Sequence, residues 1–327
     1  MKSRKMWQGV IAFAGLFVLI LDGKTAVSGA QTGIKLCLQT VIPSLFPFFL
    51  LSIVLTDSVS GLSISIFKPI CRILRVPSGG ESFLLTGFLG GYPVGAQCIG
   101  EAYHSGKLSK GAGIGLLRFC NNAGPAFLFG MVSSFFESKE KIWLLWFIQI
   151  LSALLVSFCY PVGLIKESSP PRKQSISFSD ALKSSLKVTA TVCGWITIFR
   201  VFISFLEKWI LWIFPPEVKV FIIGLLELSN GCCELSAITD ERLRFIICSC
   251  MLSFGGLCVS MQTSSVIYDL PLSVYVQGKL LQTFFCFSLC CITLYHPGYV
   301  IPFALLIFMF LLYQSEKKSR IPVSIVV

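Results

Sequence analysis

Gly90-Gly91-Tyr92-Pro93-Val94-Gly95 interrupts an apolar run that covers about residues 82–103. Proline removes a backbone donor and glycine weakens a helix, so an unbroken helix does not carry this cluster through hydrocarbon. Broken backbone at membrane depth survives only where it is buried in protein or lines a wet cavity. The run therefore reads as a re-entrant hairpin that enters and leaves on one side. A second run over about 219–238 has the same character, interrupted by Glu227-Leu228-Ser229-Asn230-Gly231. Gly91-x-x-x-Gly95 also has the spacing that lets two helices pack closely, a reading that needs no ligand.

Outward from these two segments the chain is apolar. Of its 327 residues 54% are hydrophobic and 13% are charged, against about 25% charged in an ordinary soluble domain. Further runs cover about 7–21, 34–55, 112–136, 142–165, 188–213, 243–268, 274–295 and 299–313. Each approaches the roughly 20 residues that span a bilayer core. The fold expected is an all-α polytopic membrane protein with about eight transmembrane helices plus two re-entrant hairpins. The first run follows Lys2, Arg4 and Lys5 and has no small-residue cleavage site after it, so it reads as a retained span rather than a signal peptide. A stretch over about 64–75, with Lys68, Arg72 and Arg75, reads as an interfacial helix.

The formal charge of +11 raises the question of nucleic acid, but the basic residues sit between apolar runs, where they set topology against anionic lipid. With the N-terminus in the cytoplasm and both hairpins non-crossing, sixteen Lys and Arg fall on cytoplasmic segments and eight on outer ones. That is the direction of the positive-inside rule, and it puts both termini in the cytoplasm of a multi-pass protein of the cell membrane. The fourteen cysteines lie mostly within apolar runs and act as small hydrophobes. No cysteine or histidine spacing fits a metal site.

A Pro-, Ser- and Lys-rich stretch at about 166–180 divides the chain near its middle. The organisation expected is a first helix and loop (1–33), a first repeat with its hairpin (34–165), a cytoplasmic linker (166–187), a second repeat with its hairpin (188–298), and a last helix with a basic tail (299–327). Three crossings separate the starts of the two repeats, so the second is inverted. Inverted repeats whose broken helices meet near the midplane are common in secondary transporters.

Two more polar interruptions complete the pattern. Arg118-Phe119-Cys120-Asn121-Asn122-Ala123-Gly124-Pro125 breaks one span, and Ser253-Phe254-Gly255-Gly256, running on to Ser260-Met261-Gln262-Thr263, breaks another. Pro125 frees the carbonyl of Asn121 from the helix ladder. Half-helix ends aim partial charges at a break, and Asn, Gln, Ser and Thr replace water lost by a polar solute. The candidate contacts are Tyr92, Arg118, Asn121, Asn122, Glu227, Ser229, Asn230, Gln262 and Thr263. Two readings of the Asn pair stay open: a ligand site, or a kinked helix bonded to its neighbours. Glu227 is an intramembrane acid, either a site for solute or coupling ion or half of a structural pair with Arg200. Arg118 either attracts an anionic solute or snorkels to the interface. HExxH, GxSxG and P-loop signatures are missing, so an enzyme is not expected.

Pro43-Ser44-Leu45-Phe46-Pro47-Phe48, Gly91-Tyr92-Pro93-Val94-Gly95-Ala96, the 119–125 stretch, Leu226-Glu227-Leu228-Ser229-Asn230-Gly231 and Ser253-Phe254-Gly255-Gly256-Leu257 resemble the family of the sporulation integral membrane protein YlbJ, with its nucleoside-recognition Gate domain. The pieces span roughly 35–290. The resemblance implies a fold similar to concentrative nucleoside transporters and a role in spore formation, where a member is thought to move dipicolinate. The expectation is a secondary transporter of a small polar solute, a dipicolinate-like anion or a nucleoside. It would work without a cofactor, with H+ or Na+ as a coupling ion, in contact with membrane lipid, without nucleic acid, and as a possible homo-oligomer. The rival is a non-transporting membrane protein that anchors or assembles spore-envelope factors.

Overall fold

The computed structural model describes residues 2–59, 80–160 and 176–296, together with Cys71, Leu74, Val76, Val162 and Gly298. Most of the expected interfacial helix at 64–75, the first part of the linker and the last span at 299–313 lie outside the described residues. Among the described residues the secondary structure is helical. Five helical stretches are long and apolar enough to cross a membrane: Gly23–Leu55, Lys139–Cys159, Phe178–Trp209, Glu241–Val266 and Leu272–Tyr295.

Helix α1 covers Lys2–Leu21 and presents Trp7, Phe13, Phe17 and Ile20 outward; its apolar part, Ala12–Leu21, is shorter than the other spans. Asp22 ends it and starts α2 (Gly23–Leu36) by accepting from the Thr25 amide. The chain continues through a π-helical turn (Cys37–Val41) into α3 (Ile42–Val59). The span expected to begin near 34 thus begins at Gly23. Pro43 withdraws the donor that would meet the Gln39 carbonyl, a local reason for the π turn.

The next unit turns back on itself. Helix α4 (Glu81–Leu85) runs through a second π turn (Thr86–Gly90), breaks at 91–93, and resumes as α5 (Val94–His104). In a continuous helix Gly87 and Gly95 would stand about 12 Å apart. Here a Cβ on Gly95 would lie 3.0 Å from the Gly87 Cα. The arms therefore pack against each other. Gly91, at φ +78°, supplies the left-handed turn residue that a side chain disfavours.

Helix α6 (Lys110–Leu117), capped by the Ser109 hydroxyl, stops before an irregular segment at 119–124. Pro125 then opens α7 (Pro125–Gly130), where its missing N–H does no harm. Helix α8 is Lys139–Cys159.

The same order follows in the second half. Helix α9 (Phe178–Trp209) starts ten residues before the apolar run that announces it, because Ser177 caps it by accepting from the Asp180 amide. A second fold-back consists of α10 (Pro216–Leu226) and α11 (Leu228–Cys233), broken at Glu227. A Cβ on Gly231 would collide with the Gly224 backbone, so these arms are in contact too. Helix α12 (Glu241–Phe254) ends on Gly255 in the left-handed conformation, φ +81°, and α13 (Gly256–Val266) continues from it. Helix α14 is Leu272–Tyr295.

The long helices of the two halves lie antiparallel. Lys208 pairs with Asp22 at one end, and the Ile176 amide donates to Asp57 at the other, 2.9 Å. The Lys208 ammonium holds the Asp22 carboxyl below the usual carboxylate range. Between these ends Gly29 meets Val201 and Ser204, and Gly33 meets Thr197 and Arg200, where a Cβ would come within 2.8–2.9 Å. Small residues permit this approach, and dispersion rather than hydrophobic burial stabilises it in lipid. Two apolar clusters surround the breaks. One is centred on the first fold-back and α6, with Phe83, Ile99, Leu116 and Phe119. The other is centred on the second fold-back, α12 and α14, with Leu228, Phe245, Leu252 and Leu289.

Candidate functional site

The four interruptions converge. A Cβ on Gly124 would lie 2.9 Å from the Gly91 Cα, so the tip of the first fold-back touches the broken segment before α7. A Cβ on Gly255 would lie 3.0 Å from the Tyr92 ring, and the Tyr92 hydroxyl donates to the Leu252 carbonyl at 3.0 Å. The first tip therefore also reaches the break of the second half. A Cβ on Gly256 would lie 3.0 Å from the Gly224 carbonyl oxygen, at the end of the second fold-back.

Asn121 links the halves directly. Its Oδ1 accepts from the Ala96 amide (3.2 Å), and its Nδ2 donates to Thr263 Oγ1 (3.2 Å). Asn122 stays closer to home. Its Nδ2 donates to the carbonyls of Phe119 (2.7 Å) and Gly87 (3.3 Å), and its own amide also donates to Gly87, 3.2 Å. These bonds satisfy the carbonyls and amides left over where the helices stop.

Glu227 caps α11. One carboxylate oxygen accepts from the Ser229 amide (3.0 Å), and the other from the Asn230 amide (2.7 Å) and side chain (2.6 Å). The pairing with Arg200 expected as one alternative from the sequence does not occur. Arg200 binds Glu207 at 3.0 Å, and Lys219 reaches the same carboxylate at 3.3 Å.

At the convergence lies a cavity of about 40 Å³. Its polar lining comes from Tyr92 at the first tip, Glu227 and Ser229 at the second, and Gln262 on α13. Leu45 and Phe49 of α3, Phe127 of α7, and Val192 and Ile196 of α9 close it. That volume holds a few waters, far below the roughly 300–1,000 Å³ of a small-molecule site. A larger pocket of about 500 Å³ is lined by Gln39, Thr40, Pro43 and Ser44 beside the π turn and by Gly130, Met131 and Ser134. The linings of the two spaces are neighbours along the chain, Ser44 beside Leu45 on α3 and Gly130 one helical turn from Phe127 on α7.

Of the residues singled out from the sequence, Tyr92, Glu227, Ser229 and Gln262 line the small cavity. Asn121, Asn122, Asn230 and Thr263 form the hydrogen-bonded frame behind it. Arg118 is directed elsewhere: its guanidinium lies 3.9 Å above the Tyr160 ring, past the end of α8. The cation that meets the Asn pair is Lys279. Its Nζ donates to Asn122 Oδ1 (3.0 Å) and Gln282 Oε1 (2.8 Å), and the residue is 1% exposed. Gln282 in turn donates to the Gln149 carbonyl at 3.4 Å, and Gln149 donates to the Ser249 carbonyl at 2.9 Å. The sequence carries a signal for Lys279. With the cations of the cytoplasmic and outer segments set aside, only Arg118, Arg200 and Lys279 remain inside apolar runs, and an intramembrane ionisable group is a candidate for function.

The chain is 27% identical, over an alignment that covers 81% of its length, to the sporulation integral membrane protein YlbJ of Bacillus subtilis (strain 168), of which 76% is covered. No family model matches the chain, and no solved structure does. With the five apolar helices, this similarity makes the chain a multi-pass membrane protein.

Proposed function

Because the chain belongs to the YlbJ family, we propose that it is a sporulation membrane protein that carries a small polar solute across the bilayer. One observation carries this reading: helix breaks from both halves of the chain converge on a single cavity. A solute stripped of water needs polar backbone and amide groups where these interruptions gather.

Both fold-backs are re-entrant on this reading, and the two halves form an inverted repeat within about eight crossings. The polar frame of Asn121, Asn122 and Thr263 supports the tips, and the solute meets Tyr92, Glu227, Ser229 and Gln262. The 40 Å³ cavity corresponds to an occluded state, and the 500 Å³ pocket to a vestibule on one side. Rocking of α3 and α7 against α9 would join them. A dipicolinate-like dicarboxylate and a nucleoside are the solute classes, with H+ or Na+ as a coupling ion.

The test is flux in vesicles that hold only this protein. Wild type releases trapped pyridine-2,6-dicarboxylate or uridine faster than empty vesicles, and Asn122→Ala and Glu227→Ala lose that release while still inserting. Normal flux in both variants would refute the site. A second reading, an anchor for spore-envelope factors, draws on the fact that Glu227 and Asn122 already have partners within the protein. A protein of that kind gains no thermal stability from either solute.

A further inference from the structure

Lys279 has a charge that no neighbour answers. An ammonium offers three N–H donors. Two find neutral oxygens, Asn122 Oδ1 and Gln282 Oε1. The rest of its surroundings are aromatic or neutral: the Tyr92 ring at 5.1 Å from the first fold-back and the Tyr275 ring at 5.8 Å on its own helix. Cys120 approaches from the break before α7, and α8 contributes Gln149 through Gln282. Among the described residues no carboxylate stands within ion-pair distance of it. Glu227, the acid at the cavity, is committed to the amides of α11.

A buried cation with only neutral partners is costly. A ligand carboxylate that enters the site would supply the missing counter-charge. Tyr92 relates the cation to the cavity, since its ring both lines the cavity and borders the Lys279 ammonium. The hydroxyl is held by one hydrogen bond, to Leu252. Displacement of that ring would bring the cavity and the third N–H donor together.

We propose that Lys279 is the specificity-determining residue of this site: it supplies the counter-charge for a carboxylate on the solute, reached when the Tyr92 ring moves aside. This rests on the carrier reading above and selects the anionic solute over the uncharged one. It assigns to Lys279 the role that the sequence suggests for Arg118.

The test is thermal stabilisation of the purified full chain by three probes: pyridine-2-carboxylate, pyridine-2,6-dicarboxylate and uridine. The carboxylates stabilise wild type, Lys279→Met needs at least tenfold more of them for the same shift, and Lys279→Arg retains most of the effect. Lys279→Met removes the unanswered charge but leaves Asn122 Oδ1 and Gln282 Oε1 without their donor, so the ligand-induced shift of each variant is read against its own unliganded midpoint. Equal carboxylate stabilisation of wild type and Lys279→Met would overturn the proposal. So would a wild type that answers only uridine, or none of the three. Carboxylate binding that depends on Lys279 without flux in vesicles would sink the carrier reading and leave this one standing.

Discussion

The Tyr92 hydroxyl donates to the Leu252 carbonyl at 3.0 Å, tying the tip of the first fold-back to the helix that ends at Gly255 in the other half of the chain. The two residues are 160 positions apart, and the bond is buried. It joins the elements whose separation would open the cavity. Tyr92→Phe removes the bond and keeps the ring. Hydrogen bonds between membrane helices contribute about 0.6 kcal/mol on average, so the variant loses about that much stability. Its carboxylate binding stays within about threefold of wild type, corresponding to less than about 0.7 kcal/mol. Thermal unfolding in detergent and ligand titration check both. Tyr92→Ala also removes the ring and leaves a void, with an expected loss of about 3 kcal/mol.

Glu227 has two tasks, capping α11 and lining the cavity. Glu227→Gln separates them. The amide keeps the volume but presents an NH2 donor to donors, so one of Ser229 N, Asn230 N or Asn230 Nδ2 loses its acceptor. An orphaned buried donor costs about 1–3 kcal/mol. The variant should unfold earlier by that amount and label faster at the buried Cys232, which sits on the capped helix. Unchanged stability would mean that the cap is dispensable and that the acid serves the solute alone.

Much of this architecture is legible in the sequence. Pro125, the Gly91-x-Pro93 sequence and Gly255-Gly256 announce where helices cannot continue, because their constraints are local. The antiparallel pairing of α2 with α9 is not legible there. Its surface is a row of small residues, Gly29 and Gly33 against Thr197 and Ser204, that gives no hydropathy signal. The helix starts at Gly23 and Phe178 escape a hydropathy reading because polar first turns, closed by Asp22 and Ser177, lie outside the apolar window. Arg118 and Lys279 are interchangeable in the sequence, each a lone cation in an apolar run. Which one faces the Asn pair depends on how α14 packs, and a contact across 157 positions leaves no trace in spacing.

The close approaches made by the fold-backs give a third prediction. A Cβ on Gly95 would collide with the Cys120 carbonyl oxygen, and one on Gly231 with the Gly224 backbone. Backbone cannot swing away as a side chain does, so each arm must shift. Gly95→Ala and Gly231→Ala should each destabilise by about 1–3 kcal/mol. Gly194→Ala in α9 is the control. Nothing lies within 4 Å of its added methyl, and a helix gains about 0.5–1 kcal/mol from the exchange. Opposite signs for these variants in thermal unfolding are the expected result; a uniform loss would mean that contact is not the cause.

The topology itself is open to measurement at the second fold-back. Helix α10 has 11 residues and α11 has 6, lengths of about 16 and 9 Å against a hydrocarbon core of about 30 Å. Neither arm spans alone. End to end they would approach the core thickness, but the contact of Gly224 with Gly231 shows that they lie side by side. Phe214 and Thr239, exposed residues that flank the unit, should therefore face the same side of the membrane. Cysteines at these positions react with an impermeant maleimide added outside intact cells, above the labelling of the native cysteines. A cysteine in place of the exposed Ser105, just past the first fold-back, reacts only after the cells are opened. Labelling of Phe214→Cys and Thr239→Cys from opposite faces would make α10 and α11 a full crossing. Everything after them would then invert, and the paired tips that form the cavity would no longer enter from opposite sides.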